Sequence, residues 1–162
     1  MGKIDWKALL ERCSQKSTKD DALGRMIASR ENVSGLAVSI GVQCDGAMPH
    51  RVVEFVQSLA GSGETSGRRG EDEFLLICPQ ERGAAAQRRL ARISRELWDF
   101  QLESLGDFRI LFSWGGVEVE NEPIEDAIEQ ANMRMRETQR ARQTLMTRRI
   151  RAASASPVAD LS

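Results

Sequence analysis

Three consecutive acidic residues follow a glycine near the middle of the chain. Residues 71–73 are Glu-Asp-Glu, they come directly after Gly70, and the apolar run 74–78 follows them. Carboxylates held at a tight turn beside a buried strand can present a divalent cation to a phosphate group. Arg68 and Arg69 precede the turn and could contact such a phosphate. The alternative is a solvated acidic hairpin turn, because short motifs often arise by chance.

The length and composition indicate one globular domain with its own core. The chain has 162 residues, of which 41% are apolar and 29% charged. A net charge of −1 gives no global reason to expect binding to nucleic acid or to an anionic membrane. No apolar run approaches the ~20 residues of a membrane span, and the N-terminus lacks the apolar core of a signal peptide. We therefore expect a cytoplasmic protein that neither inserts into a membrane nor binds nucleic acid.

Cysteine and histidine give little support to metal or nucleophilic chemistry. Cys13, Cys44 and Cys78 are odd in number and widely spaced, which favours a reducing compartment. With His50 as the single histidine, neither a zinc site nor a Ser-His-Asp triad has strong support.

Hydrophobic periodicity predicts alternating helices and strands. A first helix over 4–14 carries Trp6 and leads into a polar linker. The later elements are predicted as a helix from Asp20 to Arg30, strand 36–42 with one buried face, a helix from Pro49, a short strand before Arg69, strand 73–78, helix 81–103, strand 108–119 interrupted at 113–116, and a last helix from Glu122 that continues toward Ile150.

The order of these elements predicts an α+β fold in which helices cover an antiparallel-rich sheet of about four to five strands. We divide the chain into an N-terminal helix and linker over 1–19, a domain over 20–151 and a flexible tail over 152–162. The last helix begins acidic and ends basic, as its dipole favours. Its basic end and Trp6 are candidate partner-binding surfaces.

Three segments together resemble the GGDEF, or diguanylate cyclase, domain. They are R-R-G-E-D-E-F-L-L-I at 68–77, F-S-W-G-G-V at 112–117 and A-N-M-R-M-R-E-T-Q at 131–139. The resemblance covers roughly residues 20–147. It implies a nucleotidyl cyclase-like fold with a ferredoxin-like palm, truncated after the first strand. It also implies an ancestral activity that condenses two GTP molecules into cyclic di-GMP, with two metal ions in each of two facing subunits.

The resemblance assigns roles to the signature residues. Gly70, Asp72, Glu73 and Phe74 match the family's signature, while Glu71 replaces its second glycine and brings bulk and negative charge. Asp72 and Glu73 are the candidates for weak residual Mg²⁺ binding, and no other cofactor is expected. The candidates for residual phosphate contacts are Arg68, Arg69, Arg140 and Arg142.

Much of the family's catalytic equipment is missing from this sequence. The register of the resemblance places Gly41 where the family's first strand carries a metal-binding aspartate, with Gln43 two positions later. Asp45 could substitute only if the register slipped. The guanine-binding segment has no counterpart between Cys44 and His50. The cyclic di-GMP inhibitory motif R-x-x-D reads Gly-Ser-Gly-Glu at 61–64, so no inhibitory site remains. On the last helix the replaced positions are Asn132, Arg136, Gln139 and Gln143.

We therefore expect a degenerate GGDEF-like domain without enzymatic activity. It would serve as a protein-interaction, scaffold or regulatory module in a bacterial cyclic di-GMP context, with a protein partner or a second copy of itself. Nucleotide binding is not expected. Two alternatives remain open: a sensor that binds GTP or cyclic di-GMP without turnover, and residual diguanylate cyclase activity.

Overall fold

The computed structural model describes residues 18–155, which form alternating helices and strands. The predicted helix over 4–14, with Trp6, and the end of the predicted tail lie outside the described residues. The elements are α1 (Thr18–Ala28), β1 (Asn32–Cys44), α2 (His50–Ser58), β2 (Thr65–Arg69), β3 (Glu73–Cys78), α3 (Gly83–Glu103), β4 (Ile110–Pro123) and α4 (Ile124–Ala155).

The four strands form one antiparallel sheet in the order β2-β3-β1-β4. β1 is central: its residues from Leu36 to Gly41 pair with β3, and nearly its whole length pairs with β4. The predicted α+β architecture is therefore confirmed. The connection from β1 to α2 covers only residues 45–49, which is the short linkage that the sequence indicated.

Helices cover both faces of the sheet. Leu36, Val38 and Ile40 point to one face, where α2 and α3 close the larger apolar core. Val33 and Ala37 point to the opposite face, where α1 and α4 close a second core. The face that the alternation predicted to be buried, with Leu36, Val38 and Ile40, is buried, and the opposite face of the strand is buried as well. Short residues such as Ala37 and Ser39 occupy the second face, and their size hid its burial from the hydrophobic pattern.

The predicted break in β4 and the predicted end of the last helix were wrong. β4 runs without interruption through residues 113–116, because its two glycines leave room for helices: Gly115 faces α4, and Gly116 faces Leu90 of α3. A Cβ atom on Gly115 would lie 2.3 Å from the backbone nitrogen of Met135. α4 also continues to Ala155, past Ile150 and into the predicted tail.

Side chains cover the outer edge of β4 at Phe112. The Phe112 backbone nitrogen donates a hydrogen bond to Gln101 Oε1 at 3.1 Å. Its carbonyl oxygen accepts a hydrogen bond from Arg142 Nη1. α3 and α4 thus each supply one side chain to the backbone groups of this edge strand. Within the described chain, none of the helices combines the length and apolar character that a bilayer crossing requires.

Candidate functional site

The acidic turn between β2 and β3 is fixed by backbone contacts. Gly70 has a φ of +67°, a left-handed conformation that glycine adopts without steric cost. Arg68 Nη2 donates to the Glu71 carbonyl at 2.6 Å. The Val42 backbone nitrogen donates to the Asp72 carbonyl at 2.8 Å and ties the turn to the end of β1. The turn therefore holds its shape through its carbonyl groups and leaves the carboxylates of Glu71 and Asp72 exposed.

An open cleft of about 1900 Å³ lies beside this turn. The rest of its wall is formed by the end of β1, the loop that follows it, the C-terminal part of α3, the connection after α3 and the start of β4. Both signs of charge line the cleft: the acids are Asp45, Glu71 and Asp72, and the cations are Arg68 and Arg109. Such a lining has side chains that could form ion pairs with either a positively or a negatively charged ligand.

Glu73 lies away from this cleft. Its Oε2 is 3.3 Å from Arg69 Nε, and the two side chains are only 22% and 13% exposed. Arg69 and Glu73 are directly opposite each other in the β2–β3 pairing, which places both on one face of the hairpin. Burial lowers the pKa of Arg69, while the negative charge of Glu73 acts to raise it. The Glu73 carboxylate is thus already held by an internal cation.

Asn132 of α4 extends this pair into a buried polar cluster, formed by Ser39, Arg69, Glu73 and Asn132. The Asn132 amide lies 2.7 Å from the Ser39 hydroxyl. With the amide nitrogen toward Ser39, its oxygen accepts hydrogen bonds from Arg69 Nη1 at 2.8 Å and Nη2 at 2.5 Å. Ser39 and Asn132 are 0% and 4% exposed. The cluster lies between α4 and the sheet, and it connects α4 to β1 and to the β2–β3 hairpin.

The two acidic residues that the sequence predicted to bind a metal, Asp72 and Glu73, therefore lie in different places. Asp72 lines the cleft, whereas Glu73 belongs to the buried polar cluster. Across the described residues, no group of three or more His, Cys, Asp or Glu side chains has a metal-binding arrangement. These residues do not fit the two-metal site that the family resemblance implies. Weak Mg²⁺ binding at Asp72 and Glu73 remains a prediction.

Gly41 and Gln43 also occupy different surroundings. Gly41 pairs with Glu73 on one side and Ser113 on the other. A Cβ atom at Gly41 would lie 2.9 Å from Ser113 Oγ and 3.0 Å from Met135 Sδ, so this position faces α4 closely. Gln43 instead lines the cleft, as does Asp45. The cleft thus holds an amide and one nearby carboxylate from this part of the chain.

The nominated arginines do not converge on one place. Arg68 lines the cleft and Arg69 belongs to the buried polar cluster. Arg142 lies 5.8 Å from the ring centre of Trp98 and 5.6 Å from that of Trp114. Burial there lowers the pKa of Arg142. Arg140 is exposed on α4, and neither Arg140 nor Arg142 lines the cleft.

Sequence reasoning missed the ion pair between Glu64 and Arg89. The family resemblance places Glu64 at the acidic position of the inhibitory motif, and in the structure its Oε1 is 2.7 Å from Arg89 Nη2. Both side chains are nearly buried, with 11% and 10% of their surface exposed. Arg89 lies in the buried stripe of α3 with Ile93 and Leu97. A lone arginine within an apolar helical stripe was the signal that could have revealed a buried acidic partner.

Comparison with protein-family models gave no match, and comparison with curated proteins gave no significant one. Several solved structures share the architecture. A sensory box/GGDEF family protein from Caulobacter crescentus is 16% identical, with a TM-score of 0.53 over 83% of this chain and 92% of that one.

Two further structures are similar at the same level. The GGDEF domain of DgcB from Caulobacter crescentus, solved in complex with c-di-GMP, is 21% identical, with a TM-score of 0.52 over 75% of this chain and 82% of that one. The diguanylate cyclase SiaD from Pseudomonas aeruginosa, solved with its activator SiaC, is 19% identical, with a TM-score of 0.51 over 83% of this chain and 54% of that one. At these identities the likeness shows a common fold.

Proposed function

Because this chain has the fold of a GGDEF domain, we propose that it is a catalytically inactive version of that domain. In this proposal it acts as a protein-interaction or regulatory module in a bacterial cyclic di-GMP context, in the cytoplasm. The observation that carries the proposal is the division of the signature's acids between the cleft and the buried polar cluster. Two-metal catalysis of phosphoryl transfer needs carboxylates that converge on one site.

The buried polar cluster supports this proposal most directly. Glu73 would have to leave Arg69 to serve a ligand, and Arg69 would then be buried without its acidic partner. Breaking a buried ion pair in this way is strongly unfavourable. The cluster therefore favours a structural role for Glu73 of the signature.

The positions of the basic residues support the same proposal. Transfer between triphosphates requires cations close to the leaving group. Arg142 packs near the rings of Trp98 and Trp114, and Arg140 lies on the exposed side of α4. Arg68 and Arg109 are the arginines that line the cleft. An interaction role also has a parallel in the fold, since SiaD is bound to its activator SiaC.

A synthesis assay tests the proposal. The full chain is incubated with GTP and either Mg²⁺ or Mn²⁺, and cyclic di-GMP is measured by mass spectrometry. We expect no product above the level of a protein-free sample, while an active diguanylate cyclase in the same buffer shows that the assay works. Product that disappears in the Asp72→Ala variant would show that the cleft is catalytic and would refute the proposal.

The cleft supports a second candidate function, a sensor that binds GTP or cyclic di-GMP without turnover. Arg68 and Arg109 could meet phosphate groups there, although three acids oppose them. Calorimetry with GTP, GDP and cyclic di-GMP separates the candidates. Binding that is lost in Arg68→Ala/Arg109→Ala and kept in the surface control Arg88→Ala/Arg92→Ala would favour the sensor. No heat with any ligand would favour the interaction module.

A further inference from the structure

The second half of α4 is a long helical segment with little burial. Among the residues of α4 whose side chains the structure describes, none after Met135 is buried. The segment from 136 to 155 is about 30 Å long at the usual rise per residue. Helices in water normally gain most of their stability by packing one face against another element. This segment therefore has a face available for a partner.

The outward side of α4 carries a regular line of residues, which we call the outer stripe. Its members recur at intervals of three or four residues and fall opposite the buried positions Ile124, Ala131 and Met135. All of them are exposed. The outer stripe consists of Asp126, Glu129, Met133, Glu137, Arg140, Thr144, Arg148 and Arg151.

The spacing of the outer stripe keeps it straight along the helix. Successive members are separated by three, four, four, three, four, four and three residues, an eleven-residue repeat. Such a repeat is close to the natural period of an α-helix, so the stripe drifts little around the axis. From Asp126 to Arg151 it is about 38 Å long. Two such stripes could remain in contact over their whole length.

The midpoint of the outer stripe lies between residues 138 and 139. Each acidic residue before this midpoint has a basic residue at the same distance after it. If two copies of α4 lie antiparallel with this midpoint on a twofold axis, Asp126 faces Arg151 of the other copy and Glu129 faces Arg148. Glu137 then faces Arg140, and the uncharged Met133 faces Thr144. Each acidic residue meets a basic one and no like charges face each other. Within the part of the chain that the structure describes, none of these six charged side chains forms a salt bridge.

We propose that the outer stripe of α4 binds the outer stripe of a second copy of this chain, antiparallel and across a twofold axis. This inference rests on the interaction role proposed above and names a partner for it. A twofold interface requires one surface that is complementary to itself, which the charge order of the stripe provides. Each copy of the sheet then lies on the far side of its own helix, so the two sheets do not collide.

The composition of the stripe sets the strength of this dimer. Exposed ion pairs contribute little individually and are screened by salt. Met133 and the neighbouring Leu145, which are 59% and 56% exposed, add limited apolar surface. The contact is smaller than a standard stable interface. The dimer is therefore weak, and raising the salt concentration dissociates it.

Sedimentation equilibrium of the full chain at low and high salt tests the inference. At low salt we expect the average mass to rise with protein concentration from the monomer's 18.1 kDa toward twice that value. Two charge-reversed chains are then compared: Asp126→Lys/Glu129→Lys and Arg148→Glu/Arg151→Glu. Each alone should remain monomeric, because like charges face each other at both ends. Their equimolar mixture should form a heterodimer, because both ends become complementary again.

The matched control is Arg88→Glu/Arg92→Glu, which makes the same charge change at exposed positions of α3 and should dimerise like the wild type. Circular dichroism establishes that each variant is folded. A wild-type chain that stays monomeric at low salt and high concentration overturns the inference and leaves the stripe to another partner. Reversed chains that dimerise alone, or fail to pair when mixed, overturn it as well. Synthesis of cyclic di-GMP would refute the proposed function without changing any of these masses.

Discussion

The ion pair between Glu64 and Arg89 is held by several hydrogen bonds at the edge of the core. Arg89 Nε and Nη2 donate to the two carboxylate oxygens of Glu64 at 3.1 and 2.7 Å, and Nη2 also donates to the Leu59 carbonyl at 2.6 Å. The Gly61 backbone nitrogen donates to Glu64 Oε1 at 2.7 Å. Burial acts to raise the pKa of Glu64, but the hydrogen bonds from Arg89 and Gly61 lower it overall. These hydrogen bonds fix the Glu64 carboxylate within the loop that follows α2.

Replacing Arg89 tests this structural role. We expect Arg89→Met to lower the free energy of unfolding by about 3–5 kcal/mol, because it leaves the Glu64 carboxylate buried without a cation. The measurement is urea denaturation followed by circular dichroism. The neighbouring exposed variant Arg88→Met should change the free energy of unfolding by less than about 0.5 kcal/mol. Equal effects of the two variants would contradict a special role for Arg89.

Cys78 illustrates how the same loop affects a thiol. Burial raises the pKa of Cys78 to about 12, and the neighbouring Glu64 adds to the effect. At pH 8 only about one thiol in ten thousand would then be ionised. Cys44 is half-buried at the end of β1. The two cysteines should therefore differ in reactivity.

We expect iodoacetamide at pH 8 to modify Cys44 in the folded protein and to leave Cys78 unmodified. The thiolate is the reacting form, and Cys78 is both protonated and inaccessible. Mass spectrometry of the peptides measures the modification of each residue over time. Addition of denaturant should make Cys78 reactive. Comparable rates for the two cysteines in the folded protein would show that the region around Cys78 opens readily.

At the scale of elements, the close approach of α4 to β4 depends on Gly115. A Cβ atom there would lie 2.3 Å from Met135 N and 2.5 Å from the Arg134 carbonyl carbon, which are backbone atoms that side-chain rotation cannot move. The helix would have to shift away from the sheet. The buried polar cluster lies beneath the same helix, so this shift would also disturb the contact between Arg69 and Asn132.

We expect Gly115→Ala to lower the free energy of unfolding by about 1–3 kcal/mol, the usual cost of overpacking. Gly106→Ala is the matched control, since a Cβ atom there has no neighbour within 4 Å and Gly106 does not have a positive φ. Its effect should be within about 1 kcal/mol of zero in either direction. Thermal and urea unfolding measure both variants. A neutral Gly115→Ala would mean that α4 adjusts its position without penalty.

Some elements could be predicted from sequence because their signals are local. The strand Glu73–Cys78 has the bounds that its apolar run predicted, with Pro79 directly after it. The predicted break in β4 was wrong because a glycine in a strand can mark either a turn or a close contact with another element. Only the position of α4 distinguishes the two. The predicted C-terminal end of α4 was wrong. The residues there are small or polar, and such residues predict the end of a helix poorly when the surface against which the helix packs is not known.

At the scale of the whole molecule, the family resemblance identified the signature residues but did not indicate which way their side chains point. Arg69 and Glu73 are four residues apart across a tight turn, so their direct pairing in the hairpin could have been inferred from turn length alone. The contact of this pair with Asn132 could not, because it joins residues more than fifty positions apart. The site was therefore predictable as a set of residues, and its division between two faces was not.

The covered edge of β4 also affects how the protein resists aggregation. Open strand edges can add strands from other chains, and natural proteins protect them. At Phe112 an incoming strand would have to displace both Gln101 and Arg142 from the backbone. At the opposite edge, β2 has only five residues, and two of them are arginines. Strand addition is thus disfavoured at Phe112 of β4 and along the short strand β2, and the helices remain as surfaces through which other chains can bind without amyloid-like pairing.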